Sequence, residues 1–356
     1  MSDGSDVDFI AVRAGEELDA QAVGAYLAGN LPAGSGMPEV WQFPGGHANL
    51  TYLIRYPGGV EYVLRRPPHG DVAAGAHDMG REFRVLSVLY KSFPAAPRAF
   101  VYCEDRGVIG VPFFVMERRH GVVVRRDVPE VFGGGKDPVK TRKLSEVIID
   151  TLVDLHAVDP KAAGLEALGK PEGYLQRQVK GWLDRWERAK TKEIAEATRV
   201  VAWLGDHMPA SPRPTLVHND WRLDNMAVAA DDPGRAVAVY DWDMCTVGDP
   251  FTDLGTLLSS WYEPGEGYEF LSPMPSREPG FMTRAEAIAR YAARSGRDVS
   301  KMPYYFVFGL FKMAVIVQQL YFRWHKGQTT DARMAGGEMV AEGLIGMAHA
   351  HMESHA

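Results

Sequence analysis

The chain has 356 residues, a net charge of −7, 46% hydrophobic and 24% charged residues, a composition that excludes a disordered or fibrous protein and a length that allows two lobes with separate cores. An acidic balance excludes nucleic acid as a partner, because such binding rests on Lys and Arg neutralising phosphates. Cys103 and Cys245 are the only cysteines, which gives no disulfide framework or thiolate zinc site and fits a reducing, cytoplasmic setting.

The opening MSDGSDVDFIAVRAGEE is acidic and has no apolar core, so a signal peptide is not expected. A short amphipathic helix is expected around Asp19 to Leu31. Val40 to Arg66 then reads as strands, with a hairpin turn at Pro57-Gly58-Gly59. Gly45-Gly46-His47-Ala48-Asn49 lies between two of these strands, where backbone N–H groups can approach phosphate oxygens with no Cβ in the way. The same residues also make an ordinary turn, and they do not match GxGxxG spacing. Arg65 ends the next strand, and Glu82 lies on a helix over Gly80 to Tyr90 whose apolar face is Phe83, Leu86 and Leu89 or Tyr90. An inward Arg65 held by Glu82 suits contact with nucleotide phosphates. The alternative is that Arg65 and Arg66 are both solvated and Glu82 only favours the helix N-terminus. Strand-like runs at Ala99 to Cys103 and Val111 to Met116 complete a small antiparallel sheet.

From about Glu117 the pattern turns helical. Leu144, Ile148, Leu152 and Leu155 form one stripe, and Leu175, Val179, Trp182, Leu183 and Trp186 another. Between these and the C-terminal helices stands VHNDWRLDNMAVAADDPGRAVAVYDWDMCTVGDPFTD, Val217 to Asp253. His218, Asp220 and Asn225 have the spacing of a kinase catalytic loop, in which the Asp accepts a hydroxyl proton and the Asn holds a metal. Two strand-like runs flank the turn Asp231-Asp232-Pro233-Gly234; if they pair symmetrically about Pro233, Asn225 stands opposite Asp241, giving two hard oxygen ligands for magnesium. The plainer alternative is a polar loop capping a hairpin.

Pro264 to Gly280 reads as a long surface loop, and Tyr304 to Trp324 is an apolar run interrupted by Lys312, Gln318, Gln319 and Arg323. A buried helix explains that run better than a membrane span, so no membrane partner is expected. His349, His351 and His355 in the tail are expected to be frayed and solvated.

In this order, GGHANLTY, YVLRRPP, GREFRVL, FFVMERRHG, VHNDWRLDN and VYDWDMCTVGDPFTDL resemble the aminoglycoside phosphotransferase and choline kinase-like superfamily. More narrowly, they resemble its branch related to the kinase domains fused to acyl-CoA dehydrogenases, over roughly Leu18 to Ala348. The resemblance implies an α+β, bilobal protein-kinase-like fold: a small antiparallel-sheet N-lobe, residues 1–117, and a mainly helical C-lobe, residues 118–356. It implies an enzyme that uses ATP and Mg2+, with Asp220 as catalytic base and Asn225 and Asp241 as metal ligands. Gly45, Gly46, His47, Asn49, Arg65 and Glu82 then serve the nucleotide phosphates, with Met116, Glu117 and Arg118 as the adenine-contacting hinge. His218, Asp249 and Asp253 are implied to brace the loop. Two positions depart from the pattern: Arg65 stands where Lys is usual, and Asn219 where Gly is common. Arg and Lys are not interchangeable phosphate ligands, whereas Asn tolerates a left-handed backbone.

The expected partner is a small hydroxylated molecule. Arg118, Arg119, Arg125 and Arg126 suit an anionic acceptor such as a hydroxyacyl-CoA, unless they pair with nearby acids such as Asp127 and Glu130. Glu263, Glu266 and Glu269 suit a cationic aminoglycoside, and a macrolide is a related alternative. A regulatory nucleotide-binding protein without turnover is the reading of another class, favoured by Arg65 and opposed by intact Asp220, Asn225 and Asp241. A protein kinase is disfavoured, because TrpAspMet follows Asp241 in place of PheGly. The oligomeric state and the choice between ATP and GTP stay open.

Overall fold

A computed structural model of the chain describes residues 9–44, 49–68, 78–266 and 273–355. The fold is α+β and divides into two compact units, Met1–His120 with Ala238–Met244, and Gly121–Val237 with Cys245–Ala356.

The first unit begins with α1 (Ala20–Leu27), whose N-cap Asp19 accepts hydrogen bonds from the backbone N–H of Gln21 and Ala22. Strands β1 (Glu39–Gln42), β2 (Leu50–Arg55) and β3 (Glu61–Arg66) follow, then α2 (Met79–Leu89), β4 (Ala99–Cys103), the short α3 (Arg106–Ile109) and β5 (Phe113–Glu117). The sheet order is β1-β2-β3-β5-β4, and every neighbouring pair is antiparallel. The β2–β3 hairpin is closed by the Tyr56 N–H bonding the Val60 carbonyl, with Gly58 and Gly59 both at positive φ, so the tight turn requires glycine. One sheet face packs Tyr52, Ile54, Tyr62, Leu64, Val101, Phe113 and Val115 against Val23 and Leu27 of α1. Helix α2 buries Met79, Glu82, Val85, Leu86 and Leu89. Phe83, expected on that inner face, is only half-buried and stacks on Tyr102. The inward position one residue earlier belongs to the carboxylate of Glu82.

The second unit holds β6 (Val122–Val123), α4 (Pro138–Ala157), α5 (Tyr174–Ala189), α6 (Ala195–Asp206), β7 (Thr215–Val217) and β8 (Met226–Val228). Next in the chain come β9 (Ala236–Val239), whose last two residues belong to the first unit, and then β10 (Thr246–Gly248), α7 (Pro250–Ser259), α8 (Arg284–Ser295), α9 (Met302–His325) and α10 (Gly337–Glu353) of the second. The two expected apolar stripes are inside, Leu183 excepted, which is half-buried. β7 pairs antiparallel with β10, and β6, β8 and β9 make a second small sheet. Its hairpin closes with the Ala229 N–H on the Arg235 carbonyl, which centres the turn on Asp232 rather than Pro233. Strand register by itself therefore gives no reason to set Asn225 opposite Asp241.

Among the described residues α9 alone is long and apolar enough to suggest a membrane span, and 61% of its most apolar window is buried inside the protein. It packs on α7, α5 and α10. The crossing with α7 is backbone against backbone: a Cβ added at Gly255 falls 2.3 Å from the Tyr305 carbonyl oxygen, and one at Gly309 falls 2.3 Å from the Gly255 oxygen. The tail does not fray where expected. α10 continues to Glu353, with His351 half-buried edge-on against Phe306 and His349 paired with Glu353.

Candidate active site

In the second unit, β7 delivers the chain into His218-Asn219-Asp220, and the first turn of α7 fixes that loop from beneath. Asp253, 1% exposed, accepts the backbone N–H of His218 at 2.6 Å and of Asn219 at 2.7 Å. Burial pushes Asp253 upward, but the hydrogen bonds it accepts, from the His156 ring and then the His218 backbone, hold it below the usual carboxylate range. His156 is buried too; its Nε2 lies 3.4 Å from Asp253 and its Nδ1 2.8 Å from the Tyr291 hydroxyl. Burial lowers its pKa, which suits a neutral ring that donates from Nε2 to Asp253 and accepts at Nδ1. Asp249 caps α7 by accepting from the Phe251 N–H and also accepts from the Tyr305 hydroxyl at 2.7 Å.

His218 is fully buried, edge-on to Trp221, and its Nδ1 accepts the Asp220 N–H at 3.3 Å. Asn219 has φ 68°, in the left-handed region. Its side-chain Oδ1 accepts from the Tyr174 hydroxyl at 2.7 Å and its carbonyl from Lys312 Nζ at 3.1 Å. Asn225 ends a 3-10 turn, Leu223–Asn225, and its Nδ2 donates to both the Asp220 carbonyl, at 2.9 Å, and Asp220 Oδ2, at 2.8 Å. That fixes the amide orientation and leaves Asn225 Oδ1 with no partner among the described residues. Among the described residues Asp220 Oδ1 has only the Arg222 Nε, at 3.9 Å, and the side chain is about a third exposed.

In the first unit, β3 places Arg65 opposite Thr51 and Phe114. Neither Arg65 nor Arg66 is solvated: they are 7% and 1% exposed. Arg66 donates to the Tyr52 hydroxyl. Arg65 divides its guanidinium between two acids, Nη1 to Glu82 Oε1 and Nη2 to Asp241 Oδ1, both at 3.0 Å. Burial drives the Glu82 carboxyl up to about 7, against the pull of Arg65 and with Asp241 and Asp243 adding to the rise. The smaller contribution of Asp241 follows from the geometry, where two acids share one cation. Asp241 has φ 67°, and the next N–H, of Trp242, reaches Glu82 Oε1 at 3.4 Å. Trp242 is buried edge-on against Phe93, and its Nε1 donates to the Val239 carbonyl. Among the described residues only Oδ1 of Asp241 is engaged, which leaves its other oxygen for a ligand.

Asn49 and Met116 are buried, and Glu117 ends β5 with its carboxylate between the Arg98 N–H and Arg119 Nε. Arg118 lies 4.8 Å over the Phe43 ring. Gly45, Gly46, His47 and Glu269 lie outside the described residues. The acceptor candidates change character in the fold: Glu263 and Glu266 are both paired with Arg284, and Asp127 pairs with Arg277 rather than with Arg125 or Arg126. Tyr174, His156 and Lys312 belong to the loop's support, yet only Lys312 had a sequence signal, as a charge interrupting an apolar run.

The phosphotransferase enzyme family matches residues 39–301. Acyl-CoA dehydrogenase family member 10 of Mus musculus is 31% identical over 343 residues, which is 95% of this chain and 31% of that protein. Family member 11 of Gallus gallus is 30% identical over 90% of this chain and 41% of its own length. The chain thus spans less than half of either relative. Among solved structures, a candidate aminoglycoside phosphotransferase of Ralstonia eutropha superposes with TM-score 0.82 at 28% identity, covering 95% of this chain and 99% of that one. A choline kinase of Cryptosporidium parvum shares the fold at TM-score 0.60 and 11% identity, over 94% and 99% of the two chains. With a family match spanning both the buried Arg65–Glu82 pair and the Asp253-braced loop, the chain belongs to the phosphotransferase enzyme family and is a small-molecule kinase of kinase-like fold.

Proposed function

We propose that the protein transfers the γ-phosphoryl group of ATP to a hydroxyl of a small molecule, and that a hydroxyacyl-CoA-like compound is the acceptor class to test first. The observation that carries this reading is the Asn225 amide, whose NH2 is committed to Asp220 and whose oxygen is turned away from it. Asn225 Oδ1 and the second oxygen of Asp241 are hard donors of the kind Mg2+ takes from protein, the remaining ligands coming from phosphate and water. These two residues therefore suit the metal, which when bound supplies charge neutralisation on the phosphates.

Asp220 Oδ1 is the proton acceptor in this reading. The acceptor hydroxyl gives its proton to Asp220 as its oxygen bonds the γ-phosphorus, and the bond to the β–γ bridging oxygen breaks to release ADP. Arg65, fixed by Glu82, orients the nucleotide phosphates together with Asn49, Gly45, Gly46 and His47. Met116, Glu117 and Arg118 line the adenine side. His218, Asp249 and Asp253 hold the loop in place. Pairing of Glu263 and Glu266 with Arg284 removes two of the three acids offered to a cationic antibiotic, which favours an anionic or neutral acceptor. Cys103 and Cys245 are both buried and not disulfide-bonded, which fits a reducing cytoplasm.

The test is a mass-spectrometric search for phosphate gain across pooled hydroxyacyl-CoAs, aminoglycosides, macrolides and other metabolites with Mg2+ and ATP. Asp220→Ala is expected to lower turnover by about 10² to 10⁴ while nucleotide binding persists. Binding of ATP with no magnesium-dependent turnover on any pool would favour a regulatory protein instead.

A further inference from the structure

Lys312 is a buried ammonium in the long apolar helix α9, 8% exposed, one turn beyond the glycine that lets α9 touch α7. Its Nζ donates to the Asn219 carbonyl at 3.1 Å and to Thr256 Oγ1 at 3.4 Å, and lies 5.7 Å over the Trp182 ring. Taking an ammonium out of water is costly, and apolar replacements at such sites are often neutral or better for stability. A purely architectural need at this point of α9 is met by a neutral side chain. What the ammonium touches is the peptide between Asn219 and Asp220.

Both ends of that peptide plane are pinned. Its carbonyl oxygen takes the Lys312 ammonium, and its N–H, which belongs to Asp220, bonds His218 Nδ1 at 3.3 Å. The residue before it is in the left-handed region, which a non-glycine residue leaves readily unless held. Tyr174 restrains the same residue through its side chain, and Asp253 through its N–H. The charged groups around the ammonium are Asp253 on α7, Asp220 on the loop and Arg185 on α5; burial lowers the Lys312 pKa, and the two acids oppose that.

We propose that Lys312 is a positioning residue for the phosphoryl-transfer reaction: by locking the Asn219–Asp220 peptide plane it aims the Asp220 carboxylate. This rests on the phosphotransferase reading above. It assigns Lys312 no contact with nucleotide or acceptor, so its loss acts on kcat and not on nucleotide binding. A displacement of about 1 Å at a reacting group can cost about 10²-fold.

The experiment compares wild type, Lys312→Met, Lys312→Arg and Tyr174→Phe in Mg2+–ATP turnover, with the best acceptor from the pooled search or with water where none is found. Expected are a folded Lys312→Met protein with kcat about 10- to 100-fold lower, a KM for ATP within about twofold of wild type, and partial recovery in Lys312→Arg. A Lys312→Met protein with wild-type kcat, or with kcat and ATP affinity lost together with the melting temperature, overturns the proposal. Should neither Lys312 variant fold, Tyr174→Phe decides: kcat lowered at constant KM supports the pinned peptide, and unchanged kcat overturns it. Wild type without turnover overturns the phosphotransferase reading and this one with it, whereas active wild type with unimpaired variants overturns only the role of Lys312.

Discussion

Arg65 illustrates how much one buried cation carries. Its side chain is 9% exposed and bridges Glu82, which is fully buried, to Asp241, which is a third exposed. Removing one member of a buried pair leaves an uncompensated charge, at a cost of about 3–5 kcal/mol. Arg65→Met is therefore expected to destabilise the protein by about that amount in urea unfolding, and Glu82→Met added to it should restore most of the loss. A double variant no better than the single one would show that Glu82 is held by something other than Arg65. The residue types of this cluster were legible, since a strand-terminal Arg and a helix Glu stand out in sequence. Their sharing with Asp241 was not, because 176 residues separate it from Arg65. The same holds for the loop: His218, Asp220 and Asn225 are readable by spacing, while Tyr174, His156 and Lys312 come from three different helices with no local pattern.

Among the elements, α4, α5 and α9 were readable because apolar residues recur along them, and the five-stranded sheet because its strands are bounded by turn residues. Strands β6, β7 and β10 were not, since two or three residues show no period. The α7–α9 crossing is another feature that no periodicity announces. Alanine is ordinarily the better helix former by about 1 kcal/mol. At Gly255 or Gly309 that preference should reverse, because the new methyl meets backbone that cannot rotate away. Gly255→Ala and Gly309→Ala are expected to lose about 1–3 kcal/mol, read as a lower denaturation midpoint at unchanged slope. A gain in midpoint for either would mean that the helices separate freely.

For the molecule as a whole, the first unit includes Ala238–Met244 from late in the chain, a return that no shift in composition marks. Stability should carry a clear acid dependence. Burial, with His355 and Arg284 nearby, lowers His351 from an ordinary imidazole value of 6.5 to about 4, and burial lowers His156 in the same direction. Between those values the unfolded chain binds the proton and the folded one does not, so the stabilisation is present above about pH 6.5 and is lost as pH falls toward 4. Melting temperature should decline over that interval, and His351→Phe, which keeps an aromatic ring against Phe306, should flatten the decline. An unchanged slope in that variant would assign the acid sensitivity to other groups.

Asn219 and Asp241 are the only non-glycine residues at positive φ among those described. In a saturation library scored for activity, both positions should therefore look nearly frozen, each admitting little beyond Asn, Asp and Gly. At position 241 the carboxylate would narrow the choice further. At position 219 the immobility would reflect backbone handedness, and glycine should survive there. A screen that equates intolerance with chemistry would thus count Asn219 among the reacting groups, and the glycine variant is the one that tells the two apart.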